Sequence, residues 1–171
     1  MGASANEWEG AVGSLKWLWL TAFIVVADLV SKDYAQQVLS YGVPNPVFTG
    51  LDMTLLYNTG AAFSFLAGEE GWQRWFFIVI AIVVSTVLLV WLKRTEPRQW
   101  WLATGLALIL GGALGNLHDR VYLGYVVDFI SVYYDVHYFP AFNIADIAIT
   151  VGTVLMIIDM IFFESEADER T

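Results

Sequence analysis

The chain has 171 residues, of which 58% are hydrophobic and 15% are charged, and its mean hydropathy is +0.61. This composition is too apolar for an ordinary soluble domain, and the formal net charge of −9 offers no basic surface for nucleic acid. Because cysteine is absent, thiol catalysis, disulfides and cysteine-ligated metals are excluded. The sequence therefore indicates an integral membrane protein whose chemistry uses oxygen and nitrogen groups.

Four apolar segments are candidates for transmembrane helices, since a helix that rises ~1.5 Å per residue crosses ~30 Å of hydrocarbon in about 20 residues. They cover residues 15–32, 73–92, 100–117 and 142–163. The first is interrupted by Asp28, but Glu7 and Glu9 precede it where a cleaved signal peptide has basic residues. We predict an all-α membrane protein with four transmembrane helices in a single domain, 1–171.

The basic residues predict the orientation of these helices. If both termini are cytoplasmic, more of the basic residues lie inside than outside, as the positive-inside rule requires. Those inside are Lys16, Lys93, Arg94, Arg98 and Arg170, and those outside are Lys32, Arg74 and Arg120. Residues 33–72 and 118–141 then form two outer loops.

The first outer loop is punctuated by proline and glycine, which argues against a further span. Alternating apolar residues at Met53, Leu55 and Tyr57, followed by a turn from Asn58 to Gly60, predict short strands. The apolar piece after this turn is predicted to lie on the bilayer surface. We therefore expect a small β platform in the first outer loop, beside a lateral opening between the helices.

Four aspartates lie in or beside the spans, where an isolated charge costs about 2.5 to 3.5 kcal/mol and therefore needs a cavity, a partner or the interface. Asp28 precedes Lys32 by four residues, which predicts either a salt bridge on one helix face or a contact with substrate. Asp159 lies ~20 Å along the helix from Asp146 and is expected to be structural. Asp128 and Asp146 flank the second outer loop, so the chain can bring them together at the outer end.

Two adjacent carboxylates share one proton, so that one acts as general base toward water and the other as general acid toward a carbonyl oxygen. This is aspartic-protease chemistry, which needs no metal and no cofactor. Spacing alone leaves two unrelated interfacial aspartates as the alternative. Membrane acids also leave open a small proton-coupled transporter component or a noncatalytic scaffold. A proton relay would distribute its acids through the bilayer, however, and Asp28, Asp128 and Asp146 all map to the outer end.

Four segments resemble bacterial lipoprotein signal peptidases, the signal peptidase II family. They are "DLVSK" at 28–32, "YNTGAAFSF" at 57–65, "GGALGNLHDRVYLGYVVDFI" at 111–130 and "FPAFNIADIAIT" at 139–150. The resemblance implies an intramembrane aspartic endopeptidase of the bacterial inner membrane, with its site toward the periplasm. Its substrates would be diacylglyceryl-modified prolipoproteins, cut on the amino side of the lipidated cysteine. Asp128 and Asp146 would be the catalytic pair, membrane lipids the surroundings, and we expect a monomer without cofactor, metal or nucleic acid.

The same resemblance implies substrate-binding roles for further residues, namely Asp28, Lys32, Asn58, Gly60, Asn116, Arg120 and Asn143. Asparagine side chains can hold the amides of a peptide, and arginine offers five donors to carbonyl or carboxylate oxygens. Structural roles remain open for three of them. Asn116 and Asn143 would cap the ends of spans three and four, and Arg120 would pair with Asp119.

The chain departs from the family pattern at two positions, Leu29 after Asp28 and His118 where an aromatic residue is usual. Neither position belongs to the predicted catalytic pair. Three glycines in the third span, Gly111, Gly112 and Gly115, are predicted to let this helix approach a neighbour closely, because small residues permit near contact of helix backbones.

Overall fold

The computed structural model describes residues 15–60 and 71–162. The described helices are α1 Leu18–Val38, α2 Trp72–Arg94, α3 Trp100–Tyr122 and α4 Ile144–Phe162. The described strands are β1 Asn45–Phe48, β2 Leu51–Asn58, β3 Val126–Tyr134 and β4 His137–Tyr138. Helix α3 is central, because it packs against each of the other three helices.

Three of the described helices, α2, α3 and α4, are long and apolar enough to cross a membrane. Helix α1 has 21 residues, but every 18-residue window in it contains Asp28, Lys32 and Asp33. Length and composition therefore establish three candidate spans in the described part of the chain and do not confirm the predicted four.

The outer surface of the bundle is apolar. On α2, the side chains at four-residue intervals, Trp75, Val79, Val83 and Val87, are each more than half exposed. An exposed apolar stripe of this length would be unfavourable in water, whereas in hydrocarbon it costs nothing. A buried apolar core lies between α2 and α3, formed by Leu88, Leu92, Leu102, Ala103, Leu106 and Leu110.

Helix α3 approaches its neighbours at glycines. A Cβ added at Gly111 would lie 2.8 Å from a side-chain carbon of α1, and one added at Gly112 would collide with the carbonyl oxygen of Ala145 on α4. A Cβ at Gly115 would lie 2.5 Å from Oδ2 of Asp28. The prediction that these three glycines permit close helix packing is confirmed.

The small sheet is antiparallel, with the strand order β1-β2-β3-β4. Its predicted placement in the first outer loop alone is wrong, because β3 and β4 come from residues 118–141. Segment 126–134 consists largely of valine, isoleucine and aromatic residues, which favour strands. Ile130 of β3 and Phe142 exchange two backbone hydrogen bonds of 2.9 and 3.0 Å. This pairing joins the sheet to the start of α4.

Two helices continue by a turn or more beyond the predicted spans. Helix α1 ends at Val38 rather than near residue 32, and α3 ends at Tyr122 rather than at residue 117. Apolar runs mark the part of a helix that faces lipid or core, whereas the helix itself ends where its backbone bonding ends. Consequently Asn116 and Arg120 lie within α3, one turn apart on the same face.

Candidate active site

A cavity of about 1180 Å³ opens where the β2–β3 pair meets α3 and α4. The predicted site residues that line it are Asp128, Asp146, Asn58, Gly60, Asn116 and Arg120. The other three, Asp28, Lys32 and Asn143, are 0%, 2% and 0% exposed and lie behind the cavity wall. The structure thus brings both predicted catalytic carboxylates to one cavity.

Asp128 lies on β3 and is 3% exposed. Its Oδ1 accepts a hydrogen bond of 2.7 Å from Nδ2 of Asn143, and its Oδ2 accepts one of 3.2 Å from Nδ2 of Asn58. Leu56 stands opposite Asp128 in the sheet, so Asn58, two residues further on, is its diagonal neighbour on the same face. Sheet register therefore places this amide at the carboxylate.

Burial raises the pKa of Asp128 to about 7, with the charge of Asp146 as the second cause, while the hydrogen bonds from Asn58 and Asn143 oppose the increase. Desolvation and a like charge both disfavour the ionised form of a carboxyl group. Near neutral pH, the protonated form of Asp128 is therefore substantially populated.

Asp146 lies in the first turn of α4, where it forms a reciprocal capping pair with Asn143. The Asp146 N–H donates to Oδ1 of Asn143 at 3.0 Å, and the Asn143 N–H donates to Oδ2 of Asp146 at 3.3 Å. The other carboxylate oxygen, Oδ1, accepts a bond of 2.8 Å from Nδ2 of Asn116. The Asp146 carboxylate is thus fixed at a helix N-terminus, where the helix dipole favours negative charge.

Asn143 caps α4, as one alternative from the sequence predicted, and it also bonds to Asp128. A single buried amide therefore connects the strand that carries Asp128 to the helix that carries Asp146. The cap predicted for Asn116 at the end of span three is wrong, because α3 continues to Tyr122. Among the described residues, no group of three or more histidine, aspartate or glutamate side chains could hold a metal ion.

Arg120 forms part of the cavity wall and donates to two backbone carbonyl oxygens. Its Nη2 donates to the carbonyl oxygen of Gly60 at 3.2 Å, and its Nη1 donates to that of Asn116 at 3.4 Å. The Asn58 Oδ1 accepts the Gly60 N–H at 3.0 Å and closes the predicted turn. The surface piece predicted to follow this turn, 61–70, lies outside the described residues. Arg120 thereby joins α3 to the end of β2.

The predicted alternative of an Arg120–Asp119 pair is wrong, since Asp119 instead forms an ion pair of 3.0 Å with Lys32. Lys32 also pairs with Asp28 at 2.7 Å, which confirms the salt bridge predicted from their four-residue spacing. Sequence reasoning missed Asp119 as a member of the site's surroundings. The available signal was its position three residues after Asn116, which puts both on one face of α3.

Together, the membrane-length apolar helices and the cavity with two amide-bound carboxylates define an integral membrane protein with a carboxylate-lined cavity. Residues 20–162 match the family model "Signal peptidase (SPase) II". The chain belongs to the signal peptidase II family.

Relatives and solved structures agree with this family. The lipoprotein signal peptidase of Pseudomonas paraeruginosa is 58% identical over 150 residues, 86% of this chain and 89% of the relative. That of Pseudomonas putida is 53% identical over 166 residues, 96% of each chain. A bacterial membrane enzyme solved by the in meso method at 2.3 Å resolution matches with a TM-score of 0.78 and 32% identity, covering 88% of this chain and 90% of that chain. Nothing in these comparisons supports the transporter alternative.

Proposed function

We propose that this chain is a lipoprotein signal peptidase that hydrolyses one peptide bond of a diacylglyceryl-modified prolipoprotein, on the amino side of the lipidated cysteine. The observation that carries the proposal is that Asp128 and Asp146 line one cavity and are held by the same amide, Asn143. The similarity to curated lipoprotein signal peptidases supports the substrate class.

The two carboxylates have different surroundings, which assigns them different roles in the proposed mechanism. Asp146, whose carboxylate accepts N–H donors from Asn116 and Asn143 at a helix N-terminus, is the general base that activates water. Asp128, whose pKa is raised to about 7 by burial and by Asp146, is the acid that protonates the carbonyl oxygen. As the resulting tetrahedral intermediate collapses, the C–N bond breaks, Asp146 gives the proton it took from water to the leaving amine, and Asp128 takes back the proton of the carbonyl-derived hydroxyl.

Four cavity residues are proposed to bind the substrate, namely Asn58, Gly60, Asn116 and Arg120. Each lines the cavity and belongs to the hydrogen-bonded wall around the carboxylates. The three residues behind the wall, Asp28, Lys32 and Asn143, were predicted to bind substrate too. Because they are buried, we assign them to holding the wall instead.

We also propose that α1 is a fourth span. Its charged pair, Asp28 and Lys32, points into the bundle, whereas Trp19, Phe23 and Val30 of the same helix are exposed. Thr21 donates to the carbonyl oxygen of Ala107 on α3 at 2.9 Å, which fixes α1 against the central helix. Paired charges that face protein are tolerated within a bilayer. With four spans, both termini lie on the same side of the membrane. The excess of basic residues on that side makes it the cytoplasmic one, so the cavity opens toward the periplasmic side of the inner membrane.

Cleavage of a synthetic diacylglyceryl-modified precursor by purified protein in detergent tests the assignment. Asp128→Asn and Asp146→Asn each remove one carboxylate and keep an acceptor oxygen, so we expect folded protein without detectable cleavage. Asp159→Asn, a buried aspartate at the other end of α4, is the matched control and should cleave normally. Near-normal turnover by either of the first two variants would overturn the proposal.

A further inference from the structure

Behind the cavity wall, Lys32 of α1 lies between two buried carboxylates. Its Nζ is 2.7 Å from Oδ2 of Asp28 and 3.0 Å from Oδ2 of Asp119. The three side chains are at most 3% exposed. A buried ion cluster is poor evidence for stability in itself, because desolvation offsets much of the attraction between its charges. The other hydrogen bonds of the cluster indicate a role in positioning the site rather than in stability.

Each of the two carboxylates accepts the backbone N–H of the residue that immediately precedes a proposed catalytic aspartate. Oδ1 of Asp28 accepts the N–H of Ala145, next to Asp146, at 2.9 Å. Oδ2 of Asp119 accepts the N–H of Val127, next to Asp128, at 3.1 Å. Two separate elements, β3 and α4, are thus attached through the two carboxylates to one ammonium group.

The third contact of Lys32 reaches the same site through a side chain. Its Nζ donates to Oδ1 of Asn116 at 3.0 Å. Because an ammonium group only donates, it selects the amide orientation with the oxygen toward Lys32 and Nδ2 toward Asp146. In that orientation Nδ2 of Asn116 donates to Asp146 at 2.8 Å.

We infer that Asp28, Lys32 and Asp119 form a positioning cluster that sets the relative placement of the two catalytic carboxylates without touching the substrate. The inference rests on the proposed function. Misplacing a reacting group by about 1 Å can cost about 100-fold in rate. Loss of the cluster's contacts therefore lowers kcat, while KM, set by substrate contacts in the cavity, stays nearly unchanged.

Paired variants separate positioning from simple removal of a buried charge. Asp119→Ala removes the acceptor for the Val127 N–H, and we expect kcat to fall by about 100-fold with KM nearly unchanged. Asp119→Asn keeps an acceptor oxygen and should recover most of the lost kcat. The pair Asp28→Ala and Asp28→Asn should behave in the same way through Ala145.

A fifth variant, Gly115→Ala, keeps every charge of the cluster. A Cβ at Gly115 would lie 2.5 Å from Oδ2 of Asp28, so Gly115→Ala displaces this carboxylate without removing it. We expect a lower kcat at unchanged KM here too. If the two alanine variants at Asp119 and Asp28 fail to fold in detergent, the kcat of Gly115→Ala decides whether the cluster positions the catalytic carboxylates.

Asp159→Asn controls for loss of a buried acid, and Asp128→Asn controls for the proposed function. Wild-type kcat in folded Asp119→Ala and Gly115→Ala, or an increase confined to KM, would overturn the positioning cluster. If Asp128→Asn is inactive while Asp119→Ala cleaves normally, only this inference fails. If Asp128→Asn cleaves normally, the proposed function itself fails.

Discussion

At the scale of single residues, the burial of Asp128 makes the stability of the folded protein depend on pH. A carboxyl group whose pKa rises from 3.8 to about 7 on folding makes the folded state bind a proton that the unfolded state releases over that range. Stability is therefore lost as pH rises from about 4 to about 7. Groups that are unfavourable for stability are common where a function requires them.

This linkage predicts how Asp128→Asn behaves. Asparagine is uncharged at every pH, so the variant avoids the ionisation cost, and its stability advantage over wild type should grow between pH 4 and pH 7 and then level off. At about 1.36 kcal/mol per pKa unit, the full increase is up to about 4 kcal/mol. Unfolding in detergent at several pH values measures it, with the exposed Asp33→Asn as control. An advantage independent of pH would contradict the raised pKa.

At the scale of elements, the N-terminus of α4 depends on one side chain with two duties. Asn143 caps the helix through Oδ1 and donates to Asp128 through Nδ2. Helix caps can also be provided by serine, whose hydroxyl oxygen accepts the same N–H. Serine lacks the second donor, so the two duties of Asn143 are separable by substitution.

We expect Asn143→Ala to lose about 1 kcal/mol of stability or more, because the helix loses its cap. Asn143→Ser should keep most of that stability. Both variants should lose about 10- to 100-fold in kcat, since both lack the hydrogen bond to the Asp128 carboxyl group. Thermal unfolding and cleavage of the same preparations measure the two quantities. Normal cleavage by Asn143→Ser would show that the cap is the only duty that matters.

At the scale of the whole molecule, the bundle is held by close backbone contacts as well as by side-chain packing. A Cβ added at Gly105 of α3 would lie 2.8 Å from the carbonyl oxygen of Gly152 on α4. Nearer the cavity, Gly112 stands against Ala145 in the same pair of helices. Two contact points seven residues apart along α3 fix the rotation of α4, and with it the direction of its first turn.

The proposed orientation of the molecule can be tested by labelling single cysteines introduced into the chain, because the chain has no cysteine of its own that would react. Glu96→Cys lies in the exposed connection between α2 and α3, and Tyr134→Cys lies at the exposed end of β3. With spheroplasts and a membrane-impermeant maleimide, we expect only Tyr134→Cys to react until the membrane is opened. Labelling of Glu96→Cys in intact spheroplasts would reverse the proposed topology.

Much of the fold and of the candidate site could be predicted from the sequence, because some of the sequence patterns that indicate them are local. Apolar runs indicated the helices, and Asp128 and Asp146 stood out because acids are unfavourable beside such runs. Strand β3 was missed because its buried positions form a nearly continuous run rather than an alternation, which does not distinguish a strand from a buried helix segment. Asp119 was assigned the wrong partner, since pairing with Lys32 depends on how α1 packs against α3. The catalytic and binding roles themselves remain predictions.

The reciprocal bonds between Asn143 and Asp146 have a consequence for misassembled copies of the protein. Membranes contain many other chains whose peptide bonds a loosely built hydrolase would attack. In the proposed mechanism, the base that activates water is also part of the bonding that starts α4. Any copy whose first turn of α4 has frayed, or whose β3 has not yet docked against Phe142, has no assembled water-activating pair. In this mechanism, hydrolytic competence arises only after the helices and the sheet have come together, and immature copies would not cleave their neighbours.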